Sequence, residues 1–119
     1  MIKYGNYGNR IIYEDGYKFD SLAETKRYRS LKLLEQTGEI SDLEVHPAFE
    51  LQPKFKYGRK AYRAITYKAD FSYLDKKNGW RHTVEDIKGF STKTFRLKLH
   101  LLLYKYPDID FRIIDAHDV

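Results

Sequence analysis

Two acids and one lysine in the second half of the chain have the types and spacing that phosphate chemistry uses: Asp70, and Asp86 with Lys88 inside Val84-Glu85-Asp86-Ile87-Lys88-Gly89. Side chains alternate along a strand, so Asp86 and Lys88 share a face with Val84, while Glu85 points the other way and is the alternative to Asp86. Asp70 precedes the turn-forming run Asp75-Lys76-Lys77-Asn78-Gly79. An antiparallel hairpin about that turn brings both aspartates and the lysine together at the end away from it. Close carboxylates repel each other unless a cation sits between them. Oxygen ligands favour Mg²⁺ or Mn²⁺, which keeps several waters and takes further ligands from a phosphate. A neighbouring lysine stabilises charge on the attacked phosphate or helps deprotonate water. These are the parts of metal-dependent phosphodiester hydrolysis.

The elements that must position these residues can be read from pattern. Residues 1–16, rich in Gly and Asn, read as an irregular arm with a short strand at Arg10–Tyr13, and 17–119 as one domain. Ser21 and Glu24 have capping-box spacing at the start of a helix with Leu22, Ala23, Leu31 and Leu34 as its apolar positions and Gly38 as its stop. Leu43–Val45 and Phe49–Leu51 flank Pro47, which suggests an edge strand or a bulge. Residues 61–74 alternate like one strand, Asn78-Gly79 marks a hairpin turn, and Trp80–Lys88 returns. A second helix starts at Ser91 or Thr92, carries the stripe Phe95, Leu99, Leu102, Leu103 and Tyr106, and ends at Pro107. Phe111–Ile114 is the last strand, parallel to the strand ending at Lys88 because a helix joins them. The expected class is α/β: helix, three strands, helix, strand, with a mixed central sheet flanked by helices.

Composition narrows the partners. The 119 residues hold 22 Lys and Arg against 17 Asp and Glu, a net charge of +5 that attracts polyanions. Eleven tyrosines, several beside Lys or Arg as in Lys56-Tyr57 and Tyr62-Arg63, offer faces for bases and hydroxyls for phosphates. Tyrosine also simply fills half-buried strand positions. No cysteine is present, which excludes disulfides and thiol catalysis and fits a reducing, cytoplasmic location. No stretch approaches the roughly 20 apolar residues that span a bilayer, and the first residues lack the apolar run of a secretory signal.

Ala69-Asp70-Phe71, then Glu85-Asp86-Ile87-Lys88-Gly89, with Glu24 in an upstream helix, resembles the PD-(D/E)XK nuclease superfamily, whose core has the same element order. FDSLAETKRY (19–28), ADFSY (69–73) and VEDIKG (84–89) followed by TKTFRLK (92–98) also look like a family of small uncharacterised phage and prophage proteins. The resemblance spans roughly residues 17–114. It implies a restriction-endonuclease-like core and a Mg²⁺- or Mn²⁺-dependent DNA endonuclease acting in phage replication, recombination or junction processing, in the host cytoplasm. Asp70 and Asp86 would be the metal ligands with the Ile87 carbonyl, Lys88 the catalytic lysine, and Glu24 an outer ligand or an orienter of water. Arg96 or Lys98 would be the further polar residue from the helix after the motif. Lys26, Arg27, Lys93, Arg96 and Lys98 would hold duplex or branched DNA, and duplex cutting would favour a homodimer. Ala69 stands where the motif's proline is often absent.

The same residues carry plainer readings. Capping alone accounts for Ser21 and Glu24, and Asp86 with Lys88 could be an ion pair on a solvated strand, although Val84, Ile87 and Phe90 argue for burial. His46, His82, His100 and His117 lack ligand spacing. Two rival functions are a non-catalytic nucleic-acid-binding module of the same fold and an inhibitory or structural phage protein that binds another protein.

Overall fold

The computed structural model describes residues 10–89 and 91–119. Most of the expected arm, with Lys3, Tyr4 and Tyr7, and also Phe90, lie outside the described residues. From Ile12 the chain forms a hairpin of β1 (Ile12–Glu14) and β2 (Tyr17–Phe19), so the short strand expected at Arg10–Tyr13 is present, shifted to Ile12–Glu14. Asp15 and Gly16 make its turn at φ 53° and 83°. The turn is tied to the following helix: Glu14 pairs with Arg29 and Asp15 with Lys32, each at 2.6 Å.

Helix α1 (Leu22–Gln36) starts where Ser21 Oγ accepts the Glu24 amide at 3.1 Å. Its buried residues are Thr25, Tyr28 and Leu31. The predicted positions Leu22 and Leu34 are exposed, at 41% and 37%. Each lies about 120° around the helix from Tyr28, which is the centre of the buried face. The aromatic ring, stacked near Phe19 and Phe71, sets the orientation that the leucines alone would place wrongly.

The middle of the chain holds β3 (Ile40–Val45), β4 (Ala48–Gln52), β5 (Phe55–Tyr57), β6 (Lys60–Tyr62), β7 (Ile65–Lys68), β8 (Phe71–Asp75) and β9 (Arg81–Lys88). The one strand predicted over 61–74 is therefore three strands in three different pairings: β6 with β5, β7 with β4, and β8 with β3 and β9. Burial does not alternate through these pieces, since β6 is wholly exposed, β7 buries Tyr67 alone and β8 buries Phe71, Ser72 and Tyr73 in succession, so the alternation of residue types hides the changes of partner. The hairpin turn expected over Asp75–Gly79 is there, as a single 3₁₀ turn at Lys76–Asn78 with Gly79 and Trp80 left-handed. Helix α2 (Lys93–Lys105) is capped by Thr92 Oγ1 on the Phe95 amide at 3.0 Å, and β10 (Asp110–Asp115) follows.

The principal sheet has the order β10-β9-β8-β3. Strand β10 runs parallel to β9 and the other pairings are antiparallel, as the α2 crossover requires. Strand β3 is an edge with a bulge between Ser41 and Glu44. Phe71, Tyr73 and Ile87 on one face pack with Phe19, Tyr28 and Leu31, which places α1 there. Val84 on the other face packs with Tyr67, Ala69 and Leu102, placing α2 and the β4–β7 ribbon there. Leu103, predicted for the apolar stripe, is 42% exposed, one step around the helix from buried Leu102. The result is a mixed α/β fold of two helices and a mixed sheet. Among the described residues no helix is long and apolar enough to cross a membrane.

Candidate active site

Asp70 sits between β7 and β8 and extends the β8–β9 ladder by one residue. Phe71 pairs with Glu85, and the Asp70 amide donates to the Glu85 carbonyl at 3.1 Å, so Asp70 stands across from Asp86. The corner between β3 and β4 fixes the same backbone: the His46 amide donates to the Asp70 carbonyl at 2.9 Å and the Ala69 amide to the Pro47 carbonyl at 3.0 Å. His46 holds φ 57° to make that corner, a conformation that is unfavourable for a residue with a Cβ.

The two carboxylates are interlocked. Asp86 Oδ1 accepts the Asp70 amide at 3.0 Å, and Asp70 Oδ2 accepts the Ile87 amide at 2.7 Å. The Tyr67 hydroxyl donates to Asp86 Oδ2. Burial pushes the Asp70 carboxyl up to about 7, with the negative charge of Glu24 as the next contribution and the Ile87 amide and Lys88 opposing it. Asp86 is also raised by burial, against the Tyr67 hydrogen bond and Lys88. Glu24 reaches this cluster from α1: burial raises it, and it feels the charges of Lys88 and Asp86. Among the described residues none of these three acids has a Lys, Arg or His nitrogen within 4.0 Å.

Lys88 is half-buried, with Nζ 4.6 Å from the centre of the Phe95 ring. It lines a cleft of about 340 Å³ together with Asp86, Tyr67, Thr66, Lys68 and Lys98. Asp86 and Lys88 thus open into one space between β7, β9 and the first turns of α2.

Residues 3–117 match the family described as "Protein of unknown function (DUF1064)". The chain belongs to that family. No curated protein and no solved structure matches it. The DUF1064 match takes in Glu24, Asp70, Asp86 and Lys88, and the family's description attaches no activity to them.

Glu85, the alternative to Asp86, is fully buried on the α1 side of the sheet. Arg27 grips it with Nε at 2.8 Å and a terminal nitrogen at 2.6 Å, and the Tyr73 hydroxyl donates to it as well. Arg27, expected from sequence to hold nucleic acid, has its guanidinium engaged by this buried acid. Lys26 and Lys93 are exposed, Arg96 is exposed with a 3.4 Å bond to the Ser91 carbonyl, and Lys98 lines the cleft.

Tyr67, Phe95 and Lys68 escaped the sequence reading. Tyr67 shares inward alternation with Ala69, which marks burial but not a hydroxyl aimed at an aspartate. Phe95 belongs to the α2 stripe, and the same ring that fills the core also supports the lysine.

Among the described residues no three His, Cys, Asp or Glu side chains are grouped so as to cage a metal. A hydrated Mg²⁺-type ion needs less, often one or two carboxylates with the remaining ligands from water and phosphate. Two desolvated carboxylates side by side, with no Lys, Arg or His nitrogen within 4.0 Å of either among the described residues, have donor chemistry that fits such an ion.

Proposed function

We propose that this protein is a metal-dependent nuclease that hydrolyses phosphodiester bonds in DNA with Mg²⁺ or Mn²⁺, and that α1, β3, β8, β9, α2 and β10 form a restriction-endonuclease-like core of the PD-(D/E)XK type. The observation that carries the reading is the pairing of Asp70 with Asp86, both desolvated and with no direct ion pair among the described residues, with Lys88 in the cleft that Asp86 lines.

Asp70 and Asp86 would hold the ion, with the Ile87 carbonyl as a backbone ligand. When bound, the ion supplies Lewis-acid polarisation of phosphate and a lowered pKa for water. The Ile87 amide and the Tyr67 hydroxyl orient the two carboxylates. The Lys88 ammonium, held against Phe95, meets negative charge that builds on the phosphate in the transition state. Glu24, whose charge acts on Asp70, would orient water. Lys98 and Lys68 at the rim of the cleft attract the DNA backbone. A phage role in replication, recombination or junction processing accords with the motifs and is the setting in which this activity is proposed.

Labelled single-stranded, duplex, flap and four-way-junction DNAs and their RNA counterparts test the reading. Cleavage of at least one DNA with Mg²⁺ or Mn²⁺, abolished by chelator, is expected. DNA binding that is equal with and without chelator, and no cleavage of any substrate, would leave a binding module instead.

A further inference from the structure

The β5–β6 hairpin is not used by the site described above, and it has an unusual surface. From Leu51 to Ala69 the chain carries six Lys or Arg and no acid, a larger positive excess than the +5 of the whole protein. Among the described residues none of these six is ion-paired. All six strand residues of the hairpin are exposed. The register pairs Phe55 with Tyr62 and Tyr57 with Lys60, so one face presents three aromatic rings and a lysine. Phe55 and Tyr62 stack on each other across the hairpin, with centroids 4.9 Å apart and planes 8° from parallel, and Lys60 Nζ lies 5.1 Å from the centre of the Tyr62 ring. Tyr57 takes no part in that stack and is 79% exposed.

Packing within the hairpin therefore accounts for Phe55, Tyr62 and part of Lys60, but not for Tyr57, Lys56 or Arg59. We infer that the β5–β6 hairpin binds single-stranded DNA, with Lys56, Arg59 and Lys60 on the phosphates and Tyr57 as a platform for an unpaired base. Unpaired bases stack on exposed aromatic rings whatever their sequence, whereas bases within a duplex have no free face. The hairpin leads into β7, whose Thr66, Tyr67 and Lys68 line the cleft with Asp86, so a bound strand has a route to the proposed cutting site. The inference rests on the nuclease reading for that route and deepens it by naming the substrate form.

Anisotropy of a labelled oligothymidine and of a labelled duplex, measured in chelator with the full chain, tests this without any chemistry. Wild type is expected to bind the single strand more tightly. Tyr57→Ala should weaken that binding about 5- to 100-fold without changing its salt dependence, and Tyr57→Trp should retain it. The triple variant Lys56→Ala/Arg59→Ala/Lys60→Ala should reduce the slope of log affinity against log salt by about 2. Both substitutions are at exposed sites, and unchanged melting temperatures would show the fold intact. Wild-type affinity in both variants, tighter binding of the duplex, or no binding by wild type at low salt would overturn the inference. Hairpin-dependent binding with no cleavage under any metal condition would sink the nuclease reading alone. Cleavage with hairpin variants that bind normally would sink only this one.

Discussion

Asp70→Asn is expected to abolish cleavage and, in the same protein freed of metal, to raise the melting temperature at neutral pH. Asparagine keeps an oxygen for the Ile87 amide that now reaches Asp70 Oδ2 at 2.7 Å, so the fold loses little. The site loses the charge that a divalent cation requires, and a fall in activity of about 10³-fold or more follows, equal to about 4 kcal/mol of barrier. The stability gain follows from the raised pKa. Burial and the charge of Glu24 lift Asp70 from 3.8 to about 7. A carboxyl raised on folding favours the native state most below its unfolded pKa and loses that contribution as pH climbs through the folded value. Metal-free wild type should therefore lose stability between about pH 4 and pH 7, and the asparagine variant should lose less. Saturating Mg²⁺ or Mn²⁺ should stabilise wild type at pH 7.5 and leave Asp70→Asn unmoved. Thermal melts across pH with and without metal, beside a cleavage assay, check both halves. A variant that cleaves like wild type would remove Asp70 from the site.

The second large effect concerns the opposite face of the sheet. Glu85 is fully buried and meets Arg27 and Tyr73. Arg27→Ala leaves that carboxylate buried without its cation, which typically costs about 3–5 kcal/mol. Urea denaturation should show the loss, with a fall in melting temperature of about 10 °C or more. Combining Arg27→Met with Glu85→Leu and Tyr73→Phe, which removes the hydroxyl that would otherwise lose its acceptor, should recover most of it, because a buried ion pair is worth little over well-packed apolar side chains. Unchanged stability with weakened DNA affinity in Arg27→Ala would contradict this account and assign the arginine to nucleic acid instead.

The contrast between Arg27 and Asp86 shows what the sequence could carry. Alternation in Val84–Lys88 and the Asp75–Gly79 turn were enough to set Asp86 and Lys88 on one side and Glu85 on the other, because strand geometry leaves side chains only two directions, and to bring Asp70 across from Asp86. Partner choice is a different matter. Lys26 and Arg27 are alike as basic helical residues, and only the packing of α1 over β9 decides that one meets solvent and the other Glu85. Aliphatic spacing placed Leu22 and Leu34 in the core of α1, where Tyr28 in fact centres the buried face. Continuous alternation over 61–74 concealed the break at Ala69 and Asp70, since that break is made by backbone bonds from the β3–β4 corner more than twenty residues earlier. The same break takes Asp70 out of the ribbon and sets it opposite Asp86, so the local pattern was least informative where the proposed site is assembled.

The central claim is that Asp70 and Asp86 together hold a divalent cation. Crystals soaked in Mn²⁺ and measured at a wavelength where manganese scatters anomalously test it most directly. An anomalous peak about 2.0–2.3 Å from an oxygen of each carboxylate, absent in Asp86→Ala, is the expected result. A map with no peak between these side chains, or with its manganese bound elsewhere on the protein, would contradict it.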